Sequence, residues 1–418
     1  MLRALAFSAL VAAPALSFAD DKPAFFFQPN DRVVFLGDSI TEQYQYSTYL
    51  ELYLTTRFPT GNMTFVNAGI GGDTAHGGAA RFQSHVLDEK PTAITINFGM
   101  NDAGYGQFNP AANKVYVEKT AAMLDAAKAA GARVALCSPN AVDRRLNPGF
   151  KQYVETQKEF YAPLKDLAAK HGMAFADQYA VTRAAVEAME KADPAAKTAK
   201  PYYDGVHTSP PGGLLMAHAI LTQLNAPAEV SNAVLDAAKN AAPKATNCTL
   251  DKVQLGDKQV SFTRTDAALP LPVQNDWRSM LPYTNQLKDL NDYGLTVTGL
   301  AGGETAQYEV KIDGKVVATV TAKELAAGVN LGNAASGPLF DQANAVFQAI
   351  QKKNELVKQR FFGVVRYTAP DWLADLSGAI AERKPKELAK RMAAIGAAQA
   401  DVYKLAKPVA RAFTITAK

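Results

Sequence analysis

Short apolar runs rich in β-branched residues alternate with helical patterns through the first half of the chain, and this alternation restricts the fold more than any other feature. The runs, each of which predicts a buried strand, cover residues 32–36, 62–67, 92–98, 133–137 and 173–176. The helical patterns between them cover residues 44–57, 78–87, 112–130 and 150–171. Strand–helix–strand units of this spacing form right-handed crossovers. The sequence therefore predicts an α/β fold, a three-layer α/β/α sandwich around a parallel sheet.

Four loops carry polar groups to one edge of the predicted sheet. They have the sequences GDSI at residues 37–40, GIGGDT at 69–74, GMND at 99–102 and DGVH at 204–207. Sites in sheets of this kind lie beyond the carboxyl ends of the strands, where the connecting loops converge. We therefore expect the four loops to build one site.

The groups in these loops are those that acyl transfer requires. The hydroxyl of Ser39 becomes a nucleophile when a base takes its proton, and an imidazole such as that of His207 is suited to this near neutral pH. Asp204, three residues earlier, can hold the other ring nitrogen and stabilise the imidazolium. The backbone N–H groups of Ser39 and Gly72 and the side-chain amide of Asn101 are candidate donors to a tetrahedral oxyanion.

The blocks GDSI, NAGIGGDT, NFGMND and DGVH also resemble, in their order and loop positions, those of the SGNH (GDSL-type) hydrolase superfamily. The resemblance covers roughly residues 29–224. It implies a flavodoxin-like fold, Ser39 as nucleophile, Gly72 and Asn101 as oxyanion donors, and Asp204 with His207 as the acid–base pair. The chain differs from the family pattern at Ile40, where leucine is usual, and at Met100, where a small residue is common.

Several residues near these motifs have a structural interpretation. Ser39 could act only as the N-cap of the following helix, although the other three blocks favour the nucleophile. Asp38, Asp73 and Asp102 are interpreted as carboxylates that fix loops. The remaining histidines, interpreted as ordinary surface or core residues, are His76, His85, His171 and His218.

The first 19 residues have the pattern of a secretory signal peptide. Arg3 precedes an apolar run over residues 4–16, and the segment ends in Ser17, Phe18 and Ala19. This pattern predicts export with cleavage after Ala19, and the apolar run is too short to span a bilayer. An uncleaved N-terminal anchor is the alternative. No later stretch predicts a transmembrane helix, so we expect no stable membrane insertion.

Charge and metal-ligand spacing exclude several classes of function. The 44 Lys and Arg residues against 40 Asp and Glu residues give a net charge of +4, too small for a dedicated nucleic-acid-binding protein. The histidines and cysteines form no zinc-type cluster, so neither a metal nor an organic cofactor is expected. A nicotinamide site is disfavoured because Thr74 stands where the third glycine of a dinucleotide fingerprint belongs. Cys137, predicted to be buried, and Cys248 are expected to remain unbridged.

The alternation of strands and helices ends at about residue 224. We divide the chain after the predicted signal peptide into a hydrolase domain at 20–245, a small β-rich module at 246–335 and a helical C-terminal region at 336–418. Within this α+β extension the sequence predicts a helix at 226–245, strands at 253–264, 295–300 and 308–320, and helices at 338–359 and 371–406, the last interrupted at Pro385. The extension is interpreted as packing on the hydrolase domain. A polymer-binding module is the alternative, with stacking aromatic residues at Trp277, Tyr283, Tyr293 and Trp372.

These observations together predict an exported serine esterase that forms an acyl-enzyme intermediate, with short acyl groups such as acetyl on glycans as its substrates. The substrate is expected to be a small-molecule or polysaccharide ester. A lysophospholipase, thioesterase, arylesterase or acyltransferase would use the same residues. From a different class, a non-catalytic glycan-binding protein of the cell envelope is the remaining alternative.

Overall fold

The computed structural model describes residues 24–418, so the predicted signal peptide at residues 1–19 lies outside the described residues. Both cysteines lie within the described part and are free, and Cys137 is buried as the sequence predicted. Within residues 24–418, none of the helices combines the length and the apolarity that crossing a bilayer requires.

The first half of the chain forms the predicted parallel sheet. Its strands are β1 (Arg32–Gly37), β2 (Thr64–Gly69), β3 (Ala93–Asn97), β4 (Arg133–Cys137) and β5 (Ala174–Ala176). They lie in the order β2-β1-β3-β4-β5, and each neighbouring pair is parallel. Strand β1 shows why the runs are uniformly apolar: Val33 and Phe35 face one hydrophobic core, whereas Val34 and Leu36 face another.

Helices cover both faces of this sheet. They are α1 (Ser39–Glu42), α2 (Gln45–Arg57), α3 (Ala75–Ala80), α4 (Phe82–His85), α5 (Met100–Ala103), α6 (Pro110–Ala129), α7 (Lys151–Tyr161), α8 (Leu164–His171), α9 (Gln178–Ala192) and α10 (Pro210–Gln223). The predicted single helix over 150–171 is wrong, because the chain breaks into α7 and α8 at Pro163, whose ring lacks the N–H that a helix interior needs. The layers otherwise confirm the α/β/α sandwich.

The rest of the chain adds two further sheets. Its strands are β6 (Glu229–Asp236), β7 (Lys244–Thr246), β8 (Cys248–Leu255), β9 (Gln259–Asp266), β10 (Asp292–Thr298), β11 (Gln307–Ile312), β12 (Lys315–Thr321), β13 (Val329–Asn330) and β14 (Arg411–Ala417). Its helices are α11 (Gln286–Leu290), α12 (Ala322–Ala327), α13 (Pro338–Arg360) and α14 (Ser377–Ala406). The sheets have the orders β13-β10-β6-β7 and β12-β11-β14-β9-β8 and share one hydrophobic core. The predicted hairpin turn at Asp313 and Gly314 is confirmed, and both residues have positive φ.

Three sequence predictions in this region need correction. The helix predicted at 226–245 is instead β6 and β7, because Val230, Ala233 and Leu235 are buried in a sheet and β6 pairs with β10. The β-rich part therefore begins before residue 246. The region 336–418 is not wholly helical, since β14 lies between β11 and β9.

The third correction concerns Pro385, which does not interrupt α14. A proline inside a helix removes the hydrogen bond to the carbonyl four residues earlier. That carbonyl belongs to Ala381, which is exposed, so water can take the place of the missing N–H. The helix therefore continues from Ser377 to Ala406.

The C-terminal region packs tightly on the sheet domain. Helix α13 lies against α2, where the ammonium of Lys353 contacts the carboxylate of Glu51 at 2.8 Å with both side chains buried. Trp277 is buried edge-on against Tyr49, with ring centroids 4.2 Å apart. Tyr293 is also buried, whereas Trp372 is 78% exposed. The extension therefore contributes to the core of the sheet domain, as interpreted from the sequence.

Candidate active site

Ser39 is the first residue of α1, directly after β1. A side chain at Gly37 would place its Cβ 2.2 Å from the Thr41 hydroxyl and 2.6 Å from the Asn97 carbonyl, so the sharp turn requires glycine. Asp38 caps the helix by accepting a hydrogen bond from the Ile40 N–H at 2.9 Å. Ser39 thereby lies at the carboxyl edge of the sheet, with its Oγ 2.9 Å from Nε2 of His207.

Asp204 and His207 share one tight turn just before α10. His207 Nδ1 lies 2.7 Å from one carboxylate oxygen of Asp204, and the other oxygen accepts hydrogen bonds from the backbone N–H groups of Val206 and His207. Partial burial opposes ionisation of Asp204, but these hydrogen bonds outweigh it and hold the pKa of Asp204 below its ordinary value. The structure thus joins Ser39, His207 and Asp204 in one continuous chain of hydrogen bonds.

The candidate oxyanion donors lie on the neighbouring loops. Asn101, on α5 after β3, donates one amide proton to the Asp73 carbonyl at 2.8 Å. The Tyr105 hydroxyl donates to Oδ1 of Asn101 at 3.1 Å. Gly72 has a φ of +73° and faces open space, and a Cβ built on Gly71 would lie 3.9 Å from the Ser39 Cβ. These contacts bring the loops after β1, β2 and β3 together. The oxyanion roles of Gly72 and Asn101 stay predictions.

Replacing Asn101 with alanine is expected to lower kcat of any acyl-transfer reaction at this site by about 10²- to 10³-fold, the usual cost of one oxyanion donor. Tyr105→Phe is the matched control, since it removes the hydrogen bond to the Asn101 oxygen and keeps the amide. Its loss should stay below about tenfold, the value of one neutral hydrogen bond. Equal losses of kcat in the two variants would contradict the donor role.

Three carboxylates fix the loops, in agreement with their interpretation from the sequence. Asp73 forms an ion pair with Arg81 at 2.7 Å, and Asp102 accepts a hydrogen bond from the Ala75 N–H at 2.9 Å. Burial raises the pKa of Asp102 to about 6 and that of Asp38 to about 7. The active-site edge therefore holds two carboxyl groups that titrate well above their ordinary range.

The free energy of unfolding is expected to respond to Asp38→Asn in a pH-dependent way. The pKa of Asp38 is about 7 in the folded protein and about 3.9 in the unfolded chain. Between about pH 4 and pH 7 the folded state therefore binds a proton that the unfolded state has lost, so the free energy of unfolding falls as the pH rises through this interval. Asparagine can still accept the capping hydrogen bond from the Ile40 N–H, and it carries no charge, so it avoids the loss of stability at high pH. Asp38→Asn should therefore stabilise the protein by roughly 2 to 4 kcal/mol at pH 8, and the gain should vanish towards pH 4.

Denaturant unfolding at the two pH values measures this difference. Asp88→Asn, at an exposed position, serves as the control and should show little change at either pH. A gain from Asp38→Asn that is equal at both pH values would show that burial of the charge is not its cause.

Two residues that the sequence analysis did not identify hold the loops in place. Glu42 accepts a hydrogen bond from the Gly71 N–H, and Gln43 accepts from the backbone N–H of Thr208 at 3.1 Å and from its hydroxyl at 3.2 Å. Both follow Ser39 by about one helical turn, so the spacing alone could have indicated that they face the same edge. They tie the Gly71 loop and the His207 loop to the helix that carries Ser39.

Other titratable groups lie apart from this chain of hydrogen bonds. His218 is buried on α10 and contacts Asp289 of α11 at 3.0 Å, a structural pairing. In the part of the chain that the structure describes, no group of three or more His, Cys, Asp and Glu side chains is arranged to hold a metal ion.

The sheet-domain part of the chain matches a family of known proteins. A model of the GDSL-like lipase/acylhydrolase family matches residues 35–213. Among curated proteins, an uncharacterized lipoprotein of Bacillus subtilis is 54% identical over 43 residues, which are 10% of this chain and 18% of the relative. The chain therefore matches less than a fifth of the length of that relative.

Solved structures match over longer stretches. A gut microbial diltiazem-metabolizing enzyme is 25% identical, with 94% of this chain and 99% of that chain covered and a TM-score of 0.81. An acetylxylan esterase from Geobacillus stearothermophilus is 22% identical over 48% of this chain and 96% of its own, with a TM-score of 0.40. An alpha/beta hydrolase enzyme from the metagenome of Lake Arreo, Spain, is 20% identical over 49% and 99%, also with a TM-score of 0.40. The first of these shares the arrangement of the sheet domain and of the C-terminal region.

Proposed function

Because residues 35–213 belong to the GDSL-like lipase/acylhydrolase family, we propose that this protein is an exported serine ester hydrolase that removes short acyl groups, such as acetyl, from glycans. The observation that carries the proposal is the hydrogen-bonded series of Ser39, His207 and Asp204, with distances of 2.9 and 2.7 Å. The alternative that Ser39 acts only as the N-cap is wrong, because Asp38 occupies that position.

The geometry supports a two-step reaction. Ser39 Oγ attacks the acyl carbon while His207 Nε2 takes its proton, and the Asp204 carboxylate stabilises the resulting imidazolium. The oxyanion accepts hydrogen bonds from Asn101 and the backbone N–H groups. The imidazolium then protonates the departing alcohol and leaves an ester on Ser39. Water attacks this ester, gives its proton to His207 and releases the acid, and the proton returns to Ser39.

The preference for short acyl groups rests on the position of Met100, which precedes the candidate oxyanion donor Asn101. Each buried CH₂ of an acyl chain gains about 0.8 kcal/mol only where apolar surface can cover it. Met100 could have lined an apolar acyl pocket, but it is buried in contact with Tyr153 and Tyr161. Its side chain therefore offers no apolar surface to a long acyl chain.

A chain-length series of p-nitrophenyl esters from acetyl to decanoyl tests the proposal. We expect kcat/KM to be highest for acetyl or propionyl and to fall with longer chains. The second arm measures acetate released from acetylated polysaccharides, with and without a free sugar acceptor. Diltiazem is a further substrate to test, because a diltiazem-metabolizing enzyme matches 94% of this chain in structure. Rates that increase with chain length, or acyl groups that go to the sugar in place of water, would contradict the proposal.

A further inference from the structure

A cleft of about 390 Å³ lies between the sheet domain and the C-terminal region. This is a volume at which small-molecule sites begin. One wall comes from residues 43–49 at the start of α2, and the other from α13, which supplies Gln351 and Glu355. The short helical segment Asp276–Tyr283 contributes Asp276 and Trp277. Both parts of the chain are needed to form this cleft.

The cleft lies near the candidate active site, although neither Ser39 nor His207 borders it. Gln43, which borders the cleft, donates its N–H to the Ser39 carbonyl at 3.0 Å and through its side chain holds Thr208, the residue after His207. Gln43 is one helical turn from Ser39, about 6 Å along the axis. An ester whose acyl carbon lies at Ser39 can therefore place its alcohol part in the cleft.

Four polar side chains at the cleft are free to bind a ligand. Within residues 24–418, the side chains of Gln45, Asp276, Gln351 and Glu355 make no hydrogen bond or ion pair with protein groups, although all border the cleft. The two amides offer donors and acceptors, and the two carboxylates offer acceptors. Hydroxyl groups both donate and accept, so a ligand rich in hydroxyls can satisfy all four.

The floor and the charge of the cleft narrow the choice of ligand. The rings of Tyr49, Trp277 and Phe347 form a packed aromatic cluster beneath it, with centroids 4.2 and 5.1 Å from that of Trp277. Among the described residues, no lysine or arginine borders the cleft and its two charged residues are acidic, so no side chain there attracts an anionic group. Both carboxylates are exposed, so water screens their attraction for a cation. Hydrogen bonding therefore outweighs net charge in selecting the ligand.

We propose that this cleft binds the alcohol part of the ester and that this alcohol is an uncharged, hydroxyl-rich sugar residue. The inference rests on the proposed ester hydrolysis at Ser39 and assigns a substrate-binding role to the C-terminal region. Specificity then comes from α13 and from the segment Asp276–Tyr283, whereas the reacting groups belong to the sheet domain.

Filling the cleft with one large side chain tests the inference. Gln351→Trp inserts an indole into the cleft, and Gln348→Trp makes the same change on the same helix at an exposed position that does not border it. The substrates are ethyl acetate, whose alcohol part is too small to fill the cleft, and a mono-acetylated methyl xyloside. We expect Gln351→Trp to lower kcat/KM for the xyloside at least about tenfold relative to ethyl acetate, since it blocks several hydrogen bonds at once. Gln348→Trp should leave the ratio of the two substrates unchanged.

Two further substrates address the charge of the ligand. Acetylcholine and the acetyl ester of glycerol phosphate carry the same acyl group on a cationic and an anionic alcohol. We expect both to have a lower kcat/KM than the xyloside. A preference for acetylcholine that is lost in Glu355→Gln would overturn the inference by showing that the cleft selects a cation.

The remaining outcomes separate this inference from the proposed function. A parallel fall for both ester substrates in Gln351→Trp, or no fall for either, would overturn the sugar-binding role. Wild-type protein that hydrolyses p-nitrophenyl acetate in a Ser39-dependent way but leaves the xyloside intact would also overturn it, and the hydrolase would stand. Absence of Ser39-dependent turnover on every ester would instead refute the proposed function.

Discussion

Ser39→Ala is expected to lower kcat for p-nitrophenyl acetate by roughly 10⁴- to 10⁶-fold, the range found when the nucleophile of a serine hydrolase is removed. The reason is that Ser39 Oγ, 2.9 Å from the His207 ring, is the atom that forms the covalent intermediate in the proposed reaction. Steady-state hydrolysis with purified wild-type and variant protein measures the effect. KM should change little, since the alanine removes an interaction that is made mainly in the transition state.

Ser84→Ala provides the matched control for this prediction. Ser84 is exposed on α4, so the same chemical change there should leave kcat within about twofold of the wild type, as is usual for surface substitutions. The thermal midpoint of Ser39→Ala should stay near that of the wild type. Residual activity of Ser39→Ala above about one tenth of the wild-type value would refute the nucleophile assignment.

Lys353→Met is expected to reduce the free energy of unfolding by about 3 to 5 kcal/mol, since it leaves the buried carboxylate of Glu51 without its partner. Both side chains are almost wholly inaccessible and their charged atoms lie 2.8 Å apart. Burial raises the pKa of Glu51 and lowers that of Lys353, and each group only partly compensates for the burial of the other. An isolated charge at this position between α2 and α13 is therefore costly.

Denaturant unfolding of three variants tests this pair. Lys352→Met, at the exposed neighbouring position, should change the free energy of unfolding by less than about 0.5 kcal/mol. The double variant Glu51→Gln with Lys353→Met should recover most of the loss, because a neutral amide in a buried site costs less than an unpaired charge. A small change in the free energy of unfolding in Lys353→Met, or no recovery of it in the double variant, would show that the pair does not stabilise the packing of α13 on the sheet domain.

The sheet domain and the reacting groups could be predicted from the sequence because their signals are local. The strand-forming runs are buried on both faces, so each is apolar throughout and visible in isolation, as for residues 32–36. The polar loops follow these strands directly, and parallel strands bring their carboxyl ends to one edge. The proximity of Ser39 and His207, 168 residues apart in the chain, follows from that rule and from the resemblance to a known family.

The C-terminal region could be predicted only in part because its contacts are non-local. The segment at 226–245 is rich in alanine and has helical propensity, but pairing with β10 makes its first part a strand. Strand β14 is separated from its partner β9 by more than 140 residues, and nothing in its own seven residues indicates where it inserts. The cleft is also formed by non-local contacts, since Gln45 and Gln351 border the same cleft only when α13 packs on α2.

Covalent labelling tests whether Ser39 is the nucleophile. A fluorophosphonate reacts with an activated serine oxygen by displacement of fluoride and leaves a stable adduct that mass spectrometry locates. We predict one adduct per chain, on Ser39, and a strong reduction of labelling in His207→Ala because the hydroxyl then lacks its base. An adduct on a different residue, or continued ester hydrolysis by a protein that takes up no label at Ser39, would contradict it.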